Sequence, residues 1–346
     1  MTTRDTTGPP VDVDPPADDS LGGQAPVARR GYRPGSLEIF GAVLLLAIVL
    51  RGPLASWLDQ PVMQSWSTVF VAICVQAMPF LVLGVLISGA IAAFVPMAFW
   101  TSALPSNAAL AVPVAASAGA LLPGCECASV PIAGGLVARG VAPAAALAFL
   151  LSAPAINPIV LVSTSVAFPG RPIMVLARFL ASLVTAVVVG WVWARFGRAE
   201  WMKPARRPDL SGLGRADAFR TSMQHDFLSA GGYLVIGGLT AAALNVIVPR
   251  AWLQAVAGHA VISVLFMAGL AVVLAICSEA DAFVVASLTQ FSLTSRLTFL
   301  VVGPTVDVKL IAMQTGAFGR SFATRFAPLT FVTAIVVSVA VGTWLL

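Results

Sequence analysis

Two apolar stretches of membrane-spanning length are each interrupted in the middle by residues that break helices. The first interruption is Leu122–Pro131, with the sequence Leu-Pro-Gly-Cys-Glu-Cys-Ala-Ser-Val-Pro, and the second is Ser152–Pro158. Backbone N–H and C=O groups that leave a helix find no water in hydrocarbon, so irregular backbone at membrane depth occurs only where protein or a water-filled cavity surrounds it. The interruptions therefore indicate a functional site within the membrane.

The interrupted stretch occurs twice in the chain, which predicts a duplicated unit. At a shift of 150 positions a cysteine, a proline and a polar residue keep one register: Cys127 with Cys277, Pro154 with Pro304, and Asn157 with Asp307. Upstream, a shift of 153 positions aligns Phe80–Gly84 with Tyr233–Gly237. Apolar residues match by chance in a chain this hydrophobic, but residues of these three kinds rarely share one register.

The composition places the chain in a membrane. Hydrophobic residues make up 58% of it and charged residues 10%, and the mean hydropathy is +0.93. An ordinary soluble domain carries about 25% charged residues. Uninterrupted apolar runs of helical length favour a helical bundle over a β-barrel. The net charge of +5 lies mostly in short polar loops, so it reports topology and gives no indication of nucleic acid binding.

We therefore predict an all-α fold, a polytopic membrane helical bundle of two inverted repeats, each with a re-entrant or broken-helix hairpin. Three crossings are expected for each repeat, and an odd number turns the second repeat upside down relative to the first. The loop between the repeats is rich in basic residues, and the positive-inside tendency places it in the cytoplasm together with the N-terminus. The predicted regions are a disordered cytoplasmic tail (1–35), an extra N-terminal transmembrane helix (36–58), the first repeat (60–197), the basic loop (198–224) and the second repeat (225–346).

Three cysteines lie at the breaks and could contact a solute. Cys125 and Cys127 are separated by one residue, and Cys277 holds the matching position in the second repeat. Thiolates favour soft acceptors, so the three residues are candidate ligands for a soft metalloid or a thiophilic ion. The alternative is simple packing, because free cysteine is a small hydrophobe common in interiors. Cys74 has no counterpart in the repeat and is expected to pack.

Charged residues at the breaks are a further sign of function. A charge in the membrane interior costs at least about 2.5–3.5 kcal/mol and usually marks a pathway or relay. The alternative is structural neutralisation, with Lys309 opposite Asp307 or Asp281. The charged candidates for the site are Glu126, Glu279, Asp281, Asp307 and Lys309, and the last four are expected to couple solute movement to an ion or proton.

The second break of each repeat predicts half-helices that end inside the membrane. Pro154, Asn157 and Pro158 form this break in the first repeat, and Pro304 and Asp307 form it in the second. The freed carbonyl and N–H groups of such half-helices can face a substrate at the midplane, although a proline kink without function is the alternative. No phosphate-binding glycine loop, Ser/His/Asp set or HExxH sequence is present, so neither ATP-driven transport nor hydrolysis is indicated and no cofactor is expected.

In these residues the chain resembles the predicted-permease family that contains the YraQ-type proteins and the ArsP-type organoarsenical efflux permeases. The resemblance covers about residues 60–346 and is carried by four segments: Cys125–Pro131, Ala148–Pro158, Cys277–Phe283 and Gly303–Lys309. Members commonly have Cys-Ser-Cys where this chain has Cys125-Glu126-Cys127. The resemblance implies a permease of the cytoplasmic membrane, and trivalent methylated arsenic is the most concrete solute that it suggests.

The leading hypothesis is a secondary transporter or exporter that moves a small, thiol-reactive solute across the cytoplasmic membrane. Its expected partners are that small-molecule or metalloid solute and the lipid bilayer. One alternative is a membrane thiol-redox or sulfur-transfer enzyme that uses Cys125 and Cys127. A weaker alternative is a passive channel.

Overall fold

The computed structural model describes residues 60–94, 105, 107–121, 125–202, 214–247 and 259–346. The predicted tail (1–35) and the predicted first helix (36–58) lie outside these residues.

The described residues form twelve α-helices and two short 3₁₀ turns, at Gly119–Leu121 and Ala199–Trp201. The helices of the first half are α1 (Pro61–Phe94), α2 (Ala108–Ala118), α3 (Glu126–Ala138), α4 (Pro143–Ile156), α5 (Pro158–Ala167) and α6 (Pro172–Phe196). Those of the second half are α7 (Arg215–Ile247), α8 (Ala260–Leu274), α9 (Asp281–Ser287), α10 (Leu293–Thr305), α11 (Val308–Phe318) and α12 (Arg320–Leu345). The predicted all-α fold is thus confirmed for the part of the chain that the structure describes.

Six helical segments within the described ranges are long and apolar enough to cross a membrane. They are α1, α4 with α5, α6, α7, α10 with α11, and α12. The helices α2, α3 and α8 are apolar but shorter, since none exceeds 15 residues. Crossing about 30 Å of hydrocarbon takes roughly 20 helical residues, so these three helices are too short to span it alone.

One expected boundary was wrong. We predicted a loop through residue 224, but α7 begins at Arg215 and runs for 33 residues. The segment 215–224 is polar, with Asp217 in the first turn, and its residues are compatible with a helix that extends beyond the hydrocarbon. Helix propensity and a first-turn carboxylate therefore outweigh the polarity that suggested a loop.

Several helices begin with residues suited to that position. Pro143, Pro158 and Pro172 occupy the first turns of α4, α5 and α6, where the missing N–H of proline would be unpaired in any residue. The side chains of Asn107 and Ser292 accept hydrogen bonds from backbone N–H groups of α2 and α10. These residues fix where the chain enters each helix.

The end of the bundle where the chain passes from α6 to α7 will be called the loop end. Here the ring of Trp193 in α6 lies edge-on, at 5.1 Å, to the ring of Phe322 at the start of α12. Gly190 of α6 packs against the backbone of Ala144 at the start of α4. The opposite end, where α5 turns into α6 and α9 into α10, will be called the far end.

The long helices α1 and α7 pack against each other in opposite directions. Ser88, late in α1, donates a hydrogen bond to the carboxylate of Asp226, early in α7, at 2.6 Å. Gly238, late in α7, lies against Phe70, early in α1. The helices α6 and α12 are also antiparallel, because the end of α6 meets the start of α12.

Two close approaches place the first turns of α3 and α11. A Cβ atom added to Gly84 of α1 would lie 2.5 Å from the Cα of Ala128 in α3. One added to Gly237 of α7 would lie 2.7 Å from the Cα of Lys309 in α11. Gly84 and Gly237 are matched positions of the repeat. Only residues without a side chain allow this backbone approach, so both glycines hold half-helices against long helices.

A fully buried arginine joins three helices near the far end. The guanidinium of Arg178 in α6 donates to both carboxylate oxygens of Asp281, at 3.0 and 2.8 Å, and also to the hydroxyl of Thr164 in α5 and the carbonyl of Ser278. The side-chain exposures of Arg178 and Asp281 are 0% and 1%. In a buried ion pair, mutual attraction and additional hydrogen bonds offset the cost of desolvation. A single buried charge has no such compensation.

We therefore expect Asp281→Asn to destabilise the purified full chain by about 3–5 kcal/mol, because it leaves the Arg178 charge without its partner. The double change Arg178→Met with Asp281→Leu removes both charges and should recover most of the loss. Thermal unfolding in detergent measures both effects. Asp217→Asn, at an exposed carboxylate of α7, is the control and should change little. Equal stability of the Asp281→Asn and Asp217→Asn variants would contradict the structural role of the pair.

Candidate functional site

The two predicted breaks are held by capping side chains. Asn157 separates α4 from α5: its Oδ1 accepts from the N–H of Val160 at 3.0 Å, and its Nδ2 donates to the carbonyl of Ala153 at 3.0 Å. Asp307 stands at the matching position before α11, where its Oδ1 accepts from the N–H of Leu310 at 2.5 Å. Each cap satisfies backbone groups that the break would leave unpaired in a membrane.

An ion pair joins the first turns of α3 and α11. The Nζ atom of Lys309 lies 2.5 Å from Oε1 of Glu126, and each side chain is 1% exposed. These residues are 183 positions apart and belong to different halves of the chain. Glu126 lies in the first turn of α3, where the helix dipole stabilises a negative charge. The pair therefore fastens the two halves together at the breaks.

Lys309 has further partners around its ammonium group. Its Nζ lies 3.5 Å from the carbonyl of Ala275, 3.8 Å from the Sγ of Cys277 and 3.9 Å from Oδ2 of Asp307. An ammonium group has three N–H donors, so Lys309 can interact with several of these neighbours at once. The second Glu126 oxygen and Oδ2 of Asp307 are buried without a hydrogen bond. Each of these two carboxylates thus has one oxygen that accepts no hydrogen bond.

Three thiols surround this pair. Candidate ligand atoms of Cys125, Glu126 and Cys277 all lie within 4.8 Å of one another. The thiol of Cys125 interacts with the thiols of both Cys127 and Cys277. All three cysteines are free and at most 2% exposed. Two or three sulfur ligands beside a carboxylate are a donor set suited to a soft, thiophilic acceptor.

The backbone beside the site is strained at Ala275. Its φ angle is 48°, in the left-handed region, and it is the one such non-glycine residue in the described ranges. Residues other than glycine rarely adopt this conformation, which costs about 1–3 kcal/mol and concentrates at functional sites. Ala275 ends α8 and presents its carbonyl to Lys309, so the strained turn contributes an oxygen to the site.

The structure brings together half of the predicted site residues. Those within the cluster are Cys125, Glu126, Cys127, Cys277, Asp307 and Lys309. Pro154, Asn157, Pro158 and Pro304 lie at the breaks, in or beside α4, α5 and α10. The two oxygens of Glu279 are buried without a hydrogen-bond partner.

One predicted pairing was wrong. Asp281 was considered as the counter-charge of Lys309, but its carboxylate is bound on both oxygens by Arg178, and the partner of Lys309 is Glu126. Arg178 is not among the residues that the sequence predicted for the site. Its position within an apolar helix of 25 residues was the available signal, because an arginine there needs a buried carboxylate.

Comparisons with known proteins agree with this architecture. A family model described as "Predicted permease" matches residues 62–343. The chain is 38% identical over 280 residues to "UPF0718 protein YcgR" of Bacillus subtilis, which covers 79% of this chain and 94% of the relative. It is 30% identical over 282 residues, with the same coverage, to "Putative two-component membrane permease complex subunit" of Streptococcus mutans.

No solved structure matches the chain. The descriptions of the family and of the streptococcal relative favour a transporter over an enzyme. With six membrane-capable helices and a family match over most of its length, the chain belongs to the predicted permease family and is a multi-pass membrane protein.

Proposed function

We propose that this chain is a secondary transporter that moves a small, thiol-reactive solute across the cytoplasmic membrane. The observation that carries the proposal is the buried Glu126–Lys309 pair, which lies beside three free thiols where half-helices from both halves of the chain begin. Charged groups at such depth are costly and are a feature of transport pathways. A site built from discontinuous helices near the midplane is typical of transporters with internal repeats.

The two halves are proposed to be inverted repeats. In support, α7–α12 follow the same order of long, short and half-length helices as α1–α6. Counterpart helices also run in opposite directions, α1 against α7 and α6 against α12. The short pairs α2–α3 and α8–α9 are proposed to be re-entrant hairpins that enter from the loop end and the far end and meet at the thiols. This arrangement would give access to the site from either side in turn.

The three cysteines are proposed to bind the solute directly. Soft sulfur ligands discriminate in favour of soft acceptors, and trivalent methylated arsenic is the solute that we select for testing. Glu126 adds a carboxylate next to two of the thiols, so the site also suits an acceptor that carries positive charge. The break caps Asn157 and Asp307 would keep the half-helix ends open toward the solute.

Glu126, Lys309 and Asp307 are proposed to couple solute movement to an ion or proton. Oε2 of Glu126 and Oδ2 of Asp307 have no hydrogen-bond partner, so either could accept a proton without breaking an existing hydrogen bond. Glu279 remains a candidate for the same reason. Asp281 is a poorer candidate than we expected, because Arg178 occupies both of its oxygens.

The loop end is proposed to face the cytoplasm, together with the N-terminus. The basic residues near α6 and α7 support this orientation under the positive-inside tendency. The name of the streptococcal relative describes a subunit of a two-component complex. We therefore propose that this chain also works with a second membrane subunit.

Removal of two thiols tests solute binding. We expect Cys125→Ser with Cys127→Ser to lower the flux of trivalent methylarsenite into proteoliposomes by about tenfold or more, because two of three soft ligands are lost. Cys74→Ser, in α1 and outside the cluster, is the matched control and should keep the flux of the parent protein. Full flux in the double variant would remove the thiols from the transport path.

Removal of the buried ion pair tests coupling. Glu126→Gln with Lys309→Met takes away both charges at once, so neither partner is left uncompensated. We expect solute accumulation driven by an imposed pH gradient to fall to the level seen without the gradient. Glu200→Gln, at an exposed carboxylate, should leave gradient-driven accumulation unchanged. Persistent response to the gradient in the double variant would assign coupling to other groups. Flux in the parent protein that ignores the gradient, yet vanishes on Asp307→Asn, would point to a passive channel.

Labelling from either side of the membrane tests the topology. A cysteine at Asp217, exposed in the first turn of α7, should react with a membrane-impermeant maleimide from the cytoplasmic side. A cysteine at Gln290, exposed between α9 and α10, should react from the opposite side. Peptide mass spectrometry of vesicles of both orientations gives the result. Reaction of both positions from one side would contradict the inverted arrangement.

A further inference from the structure

A cavity that is polar on its α7 wall and mostly apolar elsewhere lies at the loop end between α3, α7 and α11. Its volume is about 40 Å³, and a single water needs roughly 10–15 Å³ of such space. His225, Asp226, Ser229 and Tyr233 line it from α7. Four side chains with hydrogen-bonding groups on one face of a membrane helix favour water over lipid in this space.

The cavity ends one layer of side chains away from the candidate site. Its lining includes Val130, one helical turn beyond Glu126, and Met313, one turn beyond Lys309. Both side chains belong to the apolar cluster that contains the three thiols. The cavity therefore reaches to within one helical turn of each residue of the ion pair.

Asp226 marks the mouth of the cavity. The α7 residue that packs against Lys309 is Gly237, which is about 16 Å further along the helix at 1.5 Å per residue. That distance is about half of the 30 Å of hydrocarbon. If the ion pair lies at the midplane, Asp226 lies near the membrane surface. Asp226 is 6% exposed as a residue, and its carboxylate accepts a hydrogen bond from Ser88.

The repeat register relates the cavity at the loop end to the Arg178–Asp281 pair at the far end. A shift of 150 positions matches Pro131, which lines the cavity, with Asp281 in the second half. The same shift matches Gln314 of α11 with Thr164 of α5. At the far end, Arg178 binds both Asp281 and Thr164, whereas the matched loop-end positions hold an uncharged proline and glutamine. Among the described residues, the positions at the loop end that match Asp281 and Thr164 thus hold no counterpart of this ion pair.

We propose that this cavity is the hydrated entrance from the loop end to the thiol site, and that it admits water and small polar or cationic solutes. The Arg178–Asp281 pair is its closed counterpart at the far end. The inference builds on the proposed transport function, but its test needs no knowledge of the solute. The proposed entrance is thus lined by residues of α7 that lie outside the thiol cluster.

Two neighbouring positions on α7 test the entrance. Ser229 lines the cavity, whereas Leu228 is 75% exposed on the outer surface of the bundle, where lipid would cover it. Thiolate forms in water and not in hydrocarbon. A cysteine at Ser229 should therefore react with a charged, membrane-impermeant methanethiosulfonate at least about tenfold faster than one at Leu228.

The reaction is followed by peptide mass spectrometry on the full chain in sealed vesicles of both orientations, which separates the introduced thiol from the buried native ones. Asp217→Cys identifies the side on which the loop end lies. The Ser229→Cys thiol is expected to react from that side only. Equal rates at positions 228 and 229, or reaction of Ser229→Cys only from the opposite side, would overturn the proposal. Ser229→Cys labelling as expected, in a protein whose thiol variants keep full methylarsenite flux, would retain the entrance and refute the role of the cysteines.

Discussion

The contact between the ammonium of Lys309 and the carboxylate of Glu126 is the interaction on which the remaining features depend. Each group alone would be an uncompensated charge inside a hydrophobic bundle, so α3 and α11 have to begin next to each other. The close backbone approaches at Gly84 and Gly237 bring these two helix starts into place from opposite sides. The thiols of Cys125 and Cys277 then come together as a consequence. Cys125 directly precedes α3, and Cys277 lies two residues after Ala275, whose carbonyl faces Lys309.

The broken helices give this contact a polar setting without exposing backbone to lipid. Asn157 and Asp307 satisfy the first N–H groups of α5 and α11, and Ala275 turns its carbonyl toward the ammonium group at the cost of a left-handed conformation. Strain of this kind persists only where surrounding packing imposes it. The site therefore combines soft sulfur, charge and directed carbonyl groups in a volume that the chain otherwise fills with apolar side chains. Under the proposed transport function, these groups would contact the solute.

Much of this architecture could be predicted from the sequence because duplication makes its signals appear twice. The breaks at Asn157 and Asp307, and the recurrence of a cysteine at 127 and 277, were visible as matched residues. The contact of Lys309 with Asp307 was among the predicted pairings, and the two groups lie 3.9 Å apart. The closer contact with Glu126 was not predicted, because it depends on the packing of α3 against α11. Arg178 lies 103 positions from its partner, and no local pattern links them. The start of α7 was misplaced for a related reason, since a polar first turn resembles a loop until packing and solvent position are known.

The contact at the centre can be measured by a double-mutant cycle in the detergent-solubilised full chain. The free energy of unfolding would be compared among the parent protein, Glu126→Gln, Lys309→Met and the double variant. If the two side chains interact directly, the double variant should lose about 1–3 kcal/mol less unfolding free energy than the two single variants lose in sum. Strictly additive losses would mean that the two side chains do not meet, and the account of the site would fail.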